Sequence, residues 1–507
     1  MRKDHFSLRL LQALVLGLLV TACAGDTGRG RGGKGVLLIV IDELRADHVS
    51  AYGHSRATTP NLDGLVSEGV WFSNAFSAAP DTIPSHASIL TGSDPRLAQR
   101  IIDKSSGGVG SLMRDWFIPE KVPRVAREFL IEGYRTAAFV DHPWISPVYG
   151  FSAGFETFRG FREGGVDTPP DFGIKAVGGR LTRWLSELPN DQDWFAYLTA
   201  GDLERTWSIP DPHWDTYFKP DPAKDQLPPI SSEDRSFFSV ARSRWPGMLL
   251  SYGDYEARYD GALLKLDAEL HQLFARLEAM GRWEETTICV VGSYGLGFGE
   301  SGLIIDHGTL SDVDLHVPML LRPAKALGLQ VGREIDSLTS LLDVGPTLLG
   351  LSDIEIPSWM HGVSQEPVLR GETESVRDFV FSSGGIQRGF AVRDHRYSFQ
   401  EYEPSSLRPT SLLRSWAGAS NPPFLGVQQH LRDRQTQADP GYLEPSVVAP
   451  EVGVTLRNAG ESWFQSMDLA QKHLQREPWS EEELDLDALQ DLERRALIPP
   501  LDLDLPE

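Results

Sequence analysis

Cysteine is almost missing from this 507-residue chain, with Cys23 and Cys289 the only two. Cys289 lies inside an apolar run and Cys23 at the end of a leader, so the mature chain is expected to hold no structural disulfide. An excess of positive charge is missing too. The chain has 48 Lys and Arg against 71 Asp and Glu, a formal net charge of −23. That balance argues against a nucleic-acid partner, because such binding depends on neutralising phosphates with cations. The apolar run Leu10 to Val20 is too short to cross a membrane comfortably. No internal repeat is present. What remains is ordinary globular composition, 41% hydrophobic and 23% charged, long enough for one large α/β domain and a smaller one.

The N-terminus has the form of a signal peptide: Arg2, Lys3 and Arg9, then the apolar run, then Val20-Thr21-Ala22-Cys23. The last four residues resemble a bacterial lipobox, in which Cys23 is lipidated and becomes the mature N-terminus. An ordinary secretory signal with an incidental cysteine is the alternative. The expected place is the cell envelope, lipid-anchored to a bacterial membrane through Cys23. The Gly-rich stretch that follows, 24–35, reads as a flexible tether.

Val36 to Ile41 is a continuous β-branched and aliphatic run stopping at Asp42, the pattern of a strand buried on both faces. Similar runs occur at Thr136 to Val140, Trp194 to Leu198, Thr286 to Val291 and Val317 to Arg322. Helical patterns alternate with them. One covers "TTPNLDGLVSEGVWF". Another places Leu266, Leu270, Leu273, Leu277 and Met280 on one face and stops at Gly281. Such alternation predicts a mostly parallel sheet sandwiched by helices, in which ligands collect at the carboxyl ends of the strands. Asp42, Asp202 and Ser293 fall just past such ends.

After about Ser337 the texture changes to a helix, "SLLDVGPTLLGL", and then to shorter alternating strands, "DFVFSS" and "GFAVRDHRYSF". These suggest a small antiparallel sheet. Residues 403–450 are rich in Pro and Ser and read as long loops. Ser480 and Glu483 form a capping box before Leu486, Leu489 and Leu492, a terminal helix. The expected division is a leader (1–23), a tether (24–35), an α/β domain (36–370) and a smaller C-terminal α+β subdomain (371–507).

The segment "DTIPSHASILTG" poses the functional question. Thr82 or Ser85 suits a cap for a helix beginning near Ser85, and Thr82 also stands where a nucleophile could sit. The two roles are compatible. The segments "LLIVIDELRADHVSAYG", "TTPNLDGLVSEGVWFSNAF", "TIPSHASILTG", "GLGFGESG" and "LHVPMLLR" together resemble the sulfatases of the alkaline phosphatase superfamily, in the family's order. The resemblance covers most of residues 36–400. It implies a divalent metal held by strand-end carboxylates beside a nucleophile that attacks sulfur or phosphorus. By match, Asp42 falls on the first metal carboxylate, Glu43 on a second that is often Asp or not a ligand, Thr82 on the nucleophile, and His86 on the motif's arginine.

The chain departs from that pattern in several places. Thr82 cannot become formylglycine, as the Cys or Ser of a true sulfatase does, and a threonine nucleophile shifts the implied substrate towards phosphate esters. Ser293 and Tyr294 stand where the family carries an Asp and a His that bind metal. Asp202 survives from a third segment, whereas Thr199 and Glu204 replace its histidines. His307 matches a leaving-group histidine, and Asp306 beside it is a candidate displaced ligand. The expectation is a sulfatase-fold lipoprotein with a degraded metal site that binds an anionic ester or a protein partner, with Asp42 and Asp202 as residual ligands. No cofactor is then expected, or a weakly bound Ca²⁺, Mg²⁺, Mn²⁺ or Zn²⁺. The alternative is an active phosphate- or sulfate-ester hydrolase using Thr82, His86 and His307. Without a metal, the ionised form of Asp42 beside Glu43 is expected to be disfavoured.

Overall fold

The computed structural model describes residues 34–96, 118, 122–160, 173–204, 219, 252–298, 304–384, 389–402, 429–434 and 450–476. Its centre is an eight-stranded sheet made of β1 (Gly35–Ile41), β2 (Val70–Phe72), β3 (Arg135–Phe139), β4 (Thr157–Arg159), β5 (Trp194–Ala200), β6 (Thr286–Gly292), β7 (Met319–Arg322) and β8 (Arg333–Ile335). The order across the sheet is β8-β2-β7-β6-β1-β5-β3-β4. Every neighbouring pair is parallel except those made by β7, which runs antiparallel to both β2 and β6. The expected strand at Val317 to Arg322 is therefore present but reversed, because direction leaves no trace in an apolar run. "GVWF" also departs from the helical reading. Its helix, α1 (Pro60–Ser67), stops early and Val70–Phe72 forms β2.

β1 shows why its residues are all apolar. Val36, Leu38 and Val40 pack on one face with helix α2 (Thr82–Thr91) and helix α5 (Val344–Leu351), whose buried side chains include Ile89, Leu90, Leu348 and Leu349. Leu37, Ile39 and Ile41 pack on the other with α3 (Gly173–Glu187) and α4 (Tyr252–Ala279). Alternate side chains of a strand point to opposite faces, so a strand covered on both sides must be apolar throughout. The leucine stripe from Leu266 to Leu277 is the buried face of α4.

The C-terminal part is an antiparallel sheet in which Val380–Ser383, Gly389–Arg393, Tyr397–Tyr402 and Gln429–Asp433 are neighbours in chain order. A long helix, α6 (Pro450–Arg476), covers it through Leu456, Ala459 and Trp463, which meet Phe381, Phe390 and Phe399. Sequence reasoning did not foresee α6. The terminal helix it placed after Ser480 lies outside the described residues, as does Cys23, and Gly35, the last residue of the expected tether, opens β1 instead.

Candidate functional site

Four neighbouring strands, β6, β1, β5 and β3, deliver polar residues at their carboxyl ends to one place. After β1 come Asp42 and Glu43, and after β6 come Ser293 and Tyr294. β5 brings Thr199 and leads to Asp202 and Glu204, and β3 leads to Asp141 and His142. Glu43 adopts a left-handed backbone, φ +60°, which is unfavourable for a side chain of that size. Tyr259 of α4 holds this turn, donating its hydroxyl to the Glu43 carbonyl at 2.6 Å and accepting the Arg45 N–H at 3.1 Å.

The helix carrying Thr82 begins three residues before the expected start. Asp81, not Thr82 or Ser85, is its N-cap, accepting the Thr82 N–H at 2.8 Å. This leaves the Thr82 hydroxyl free of capping duty, and it lies 2.8 Å from the Tyr294 hydroxyl. Both side chains are buried. Burial, and then the negative charges of Asp42, Glu43 and Glu204, push the Tyr294 phenol well above its ordinary pKa, so it stays neutral. The His307 ring stands beside Tyr294, with centroids 4.4 Å apart, and its Nδ1 is 2.8 Å from the Pro80 carbonyl. Asp306 is the last residue of a short strand paired to Gly297–Phe298.

One turn into α2, His86 points at Asp42. Its Nε2 is 2.7 Å from Asp42 Oδ1, and its Nδ1 meets the Tyr197 hydroxyl. Ser293 donates to the same Asp42 oxygen at 2.5 Å, and Ser85 donates to the Ser293 carbonyl at 2.6 Å. Asp42 is fully buried. Burial alone raises its carboxyl pKa, but the charge and hydrogen bond of His86, with His142 and Ser293, hold it below the usual range. The expectation of a disfavoured Asp42 carboxylate is thus reversed. His86, 44 residues away in sequence, supplies what neighbouring residues could not.

Asp202 does not join this group. Its Oδ2 accepts the Ile174 N–H at 2.8 Å, at the start of α3. Asp141 works alongside, accepting from Gly173 N–H at 3.0 Å, Gly201 N–H at 2.8 Å and the Thr199 hydroxyl at 2.6 Å. Gly173 has φ +81°, and a Cβ there would come within 2.6 Å of Asp202 Oδ1, so the turn requires glycine. Burial and the nearby Asp141 push the Asp202 pKa up to about 7. Thr199 and Asp202 therefore hold a helix start, a role sequence reasoning missed along with Asp141.

Glu204, taken as a lost ligand position, sits next to the centre. Its Oε2 is 3.1 Å from His142 Nε2. The Trp144 N–H donates to His142 Nδ1 at 3.2 Å, which places the ring's proton on Nε2 facing Glu204. Burial lowers the His142 pKa, but Glu204, with the charges of Asp42 and Asp141, more than offsets it, while the Trp144 N–H opposes a second proton. Asp141 and His142 carried the same signal as Asp42, polar residues directly after an apolar run. Tyr197 had none, since a tyrosine inside a strand reads as core.

The implied divalent metal can be tested against these donors. Asp42 Oδ2 suits it, being buried without a partner, and the Glu43 side chain next in sequence is buried too. The rest of the implied set does not. Asp42 Oδ1 is occupied twice over, Ser293 and Tyr294 carry no charge and bond inward, and Asp202 holds α3. A hard cation takes six or more oxygens at Ca²⁺ sites or near-ideal octahedral geometry at Mg²⁺ sites, and these positions do not fit it. A different trio, Asp42, His142 and Glu204, has ligand atoms within 4.8 Å of one another. His48, His54 and Asp260 form another such group, but Arg56 already lies 2.6 Å from Asp260 and supplies its cation.

The sheet order, the helices on both faces and the strand-end cluster define the architecture of the alkaline phosphatase superfamily. The sulfatase family model matches residues 34–354, and the chain belongs to the sulfatase family. An arylsulfatase of Clostridium perfringens is 23% identical over 397 residues, which span 68% of this chain and 80% of that protein. Human arylsulfatase A is 26% identical over 423 residues, 77% of this chain and 80% of that protein. Among solved structures, the phosphonate monoester hydrolase of Agrobacterium radiobacter superposes with a TM-score of 0.63 at 19% identity. The match covers 86% of this chain and 96% of that one.

Proposed function

We propose that this chain is a sulfatase-fold binding protein, lipid-anchored through Cys23 on the outer side of a bacterial cytoplasmic membrane or on its outer membrane, whose strand-end site no longer hydrolyses esters. The observation that carries this reading is the Thr82–Tyr294 hydroxyl pair at 2.8 Å. A threonine hydroxyl is a poor nucleophile unless a base, a lowered pKa or a metal activates it. Tyr294, kept neutral, is not a base, and the Asp42 carboxylate is already engaged by His86 and Ser293 at one oxygen. In this reading His86 and Ser293 engage from within the protein the Asp42 oxygen that a metal would hold in the family.

A second reading has its own support. Asp42 Oδ2 is unpartnered, the trio Asp42, His142 and Glu204 could receive a cation, and the relatives carry the names of hydrolases. Turnover of generic sulfate monoesters, phosphate monoesters, phosphodiesters and phosphonate monoesters, with each of Ca²⁺, Mg²⁺, Mn²⁺ and Zn²⁺ added, separates the two. The binding reading predicts no rate above that of Thr82→Val. A metal-stimulated rate that Thr82→Val abolishes would establish the hydrolase.

A further inference from the structure

A cavity of about 670 Å³ opens between the edge strand β4 and the flank of α3. None of the strand-end residues described above lines it. Its polar lining is dominated by one sign of charge: Arg159 on the strand, then Lys175, Arg180 and Arg183 along the helix, with Glu187 the one carboxylate among the described lining residues. Lys175 also reaches Glu269 at 3.7 Å. Arg159 and Arg183, both exposed, have no ion pair among the described residues. In a chain of net charge −23, four cations around one hollow make a local positive field that draws anions.

A glycine in the same wall points the same way. α3 carries Gly178 and Gly179 in its interior, where glycine is less favourable than alanine. Gly178 has a packing reason, since a Cβ there would lie 3.3 Å from Leu273 of α4. Gly179 has none: an added Cβ would meet nothing within 4 Å, and the residue lines the cavity. The fold does not need a glycine at 179, and a large side chain there would take up space in the cavity. Phe158 and Trp184 add aromatic surface.

We propose that this cavity binds an elongated small polyanion. The volume lies within the range of small-molecule sites, roughly 300–1,000 Å³. Lys175 and Arg183 are eight residues apart on one helix, about 12 Å along its axis, so a single sulfate or phosphate reaches only one end. Arginine's planar fork matches sulfate, phosphate and carboxylate oxygens in pairs. A sulfated or carboxylated oligosaccharide and a short polyphosphate both carry that chemistry. The site is independent of whether the strand-end cluster turns over any ester.

Titration calorimetry on the full chain tests this with a sulfated tetrasaccharide, tetrapolyphosphate and an uncharged tetrasaccharide as probes. At least one polyanion binds, and the uncharged probe does not. Arg159→Ser with Arg183→Ser weakens binding by about tenfold or more, the loss expected for charged hydrogen bonds, with the melting temperature unchanged. Gly179→Leu blocks binding while helical content is kept, and Thr82→Val leaves it intact. Binding of the saccharide alone assigns a carbohydrate, and binding of the polyphosphate alone assigns a phosphate compound. Failure of both polyanions to bind the wild type, or unchanged binding by both cavity variants, overturns the proposal.

Discussion

The Asp42 carboxylate and the His86 imidazole meet across 2.7 Å, Oδ1 to Nε2, and neither side chain has any exposure to solvent. One residue ends the first strand of the sheet and the other lies one turn into the helix that begins with Thr82. The pair ties the helix carrying the candidate nucleophile to the sheet and gives one oxygen of the buried carboxylate a partner.

Breaking that pair from one side is therefore costly. Asp42→Asn and His86→Ala should each destabilise the protein by about 3–5 kcal/mol, the cost of leaving a buried partner uncompensated. The double variant should cost less than the sum, with a coupling of about 0.5–3 kcal/mol. Urea unfolding of the four proteins measures both. A disfavoured Asp42 carboxylate would make Asp42→Asn neutral or stabilising; the His86 contact reverses that sign, and a neutral Asp42→Asn would contradict the pairing.

Rebuilding the family's ligands should reintroduce a need for metal. Ser293 donates to Asp42 at 2.5 Å, so Ser293→Asp puts a second carboxylate against the first. The Ser293→Asp, Tyr294→His protein should melt below the wild type without metal and regain stability as Ca²⁺ or Mn²⁺ is added, because binding to the folded state alone stabilises it. Thermal melts across a metal titration check this, and the wild type should not respond.

Asp202 should give stability a pH dependence of definite sign. Its carboxyl is pushed up to about 7 when folded, against about 4 in the unfolded chain. Between those values the folded state holds a proton that the unfolded state has released, so this group's contribution to stability falls as pH rises through that window. Below about pH 4 both states are protonated and its contribution is constant. Asp202→Asn should flatten the melting temperature between those limits relative to the wild type. Identical profiles for the two proteins would remove the argument.

Lipidation at Cys23 predicts that the wild type sediments with membranes and Cys23→Ser does not. Each buried acyl methylene contributes about 0.8 kcal/mol, and more than one chain is needed for stable attachment. No helix among the described residues is long and apolar enough to cross a membrane. Equal partitioning of both proteins into the soluble fraction would refute it.

Much of this site was legible because strands buried on both faces are uniformly apolar and end abruptly. Asp42 and Ser293 stood out for that reason, and Asp141 with His142 carried the same mark after β3. Other features depend on three-dimensional placement. The antiparallel direction of β7 leaves the same apolar run as a parallel strand, and Tyr197 looks like core until His86 is found against its hydroxyl. Asp202 occupies a strand end, as a ligand would, yet turns to the start of α3 because residue 173 comes back to the sheet there. The charge state of Asp42 could not be read from Glu43, its sequence neighbour, since its partner arrives on a helix from another part of the chain.

Metal content of the purified, dialysed protein tests the central claim most directly, namely that His86 and Ser293 hold Asp42 Oδ1 in place of a cation. Elemental analysis should find well under one equivalent of calcium, magnesium, manganese and zinc per chain, with chelator leaving the melting temperature unmoved. One equivalent of metal that survives dialysis, disappears in Asp42→Ala and takes thermal stability with it would contradict the account and establish a cation at Asp42.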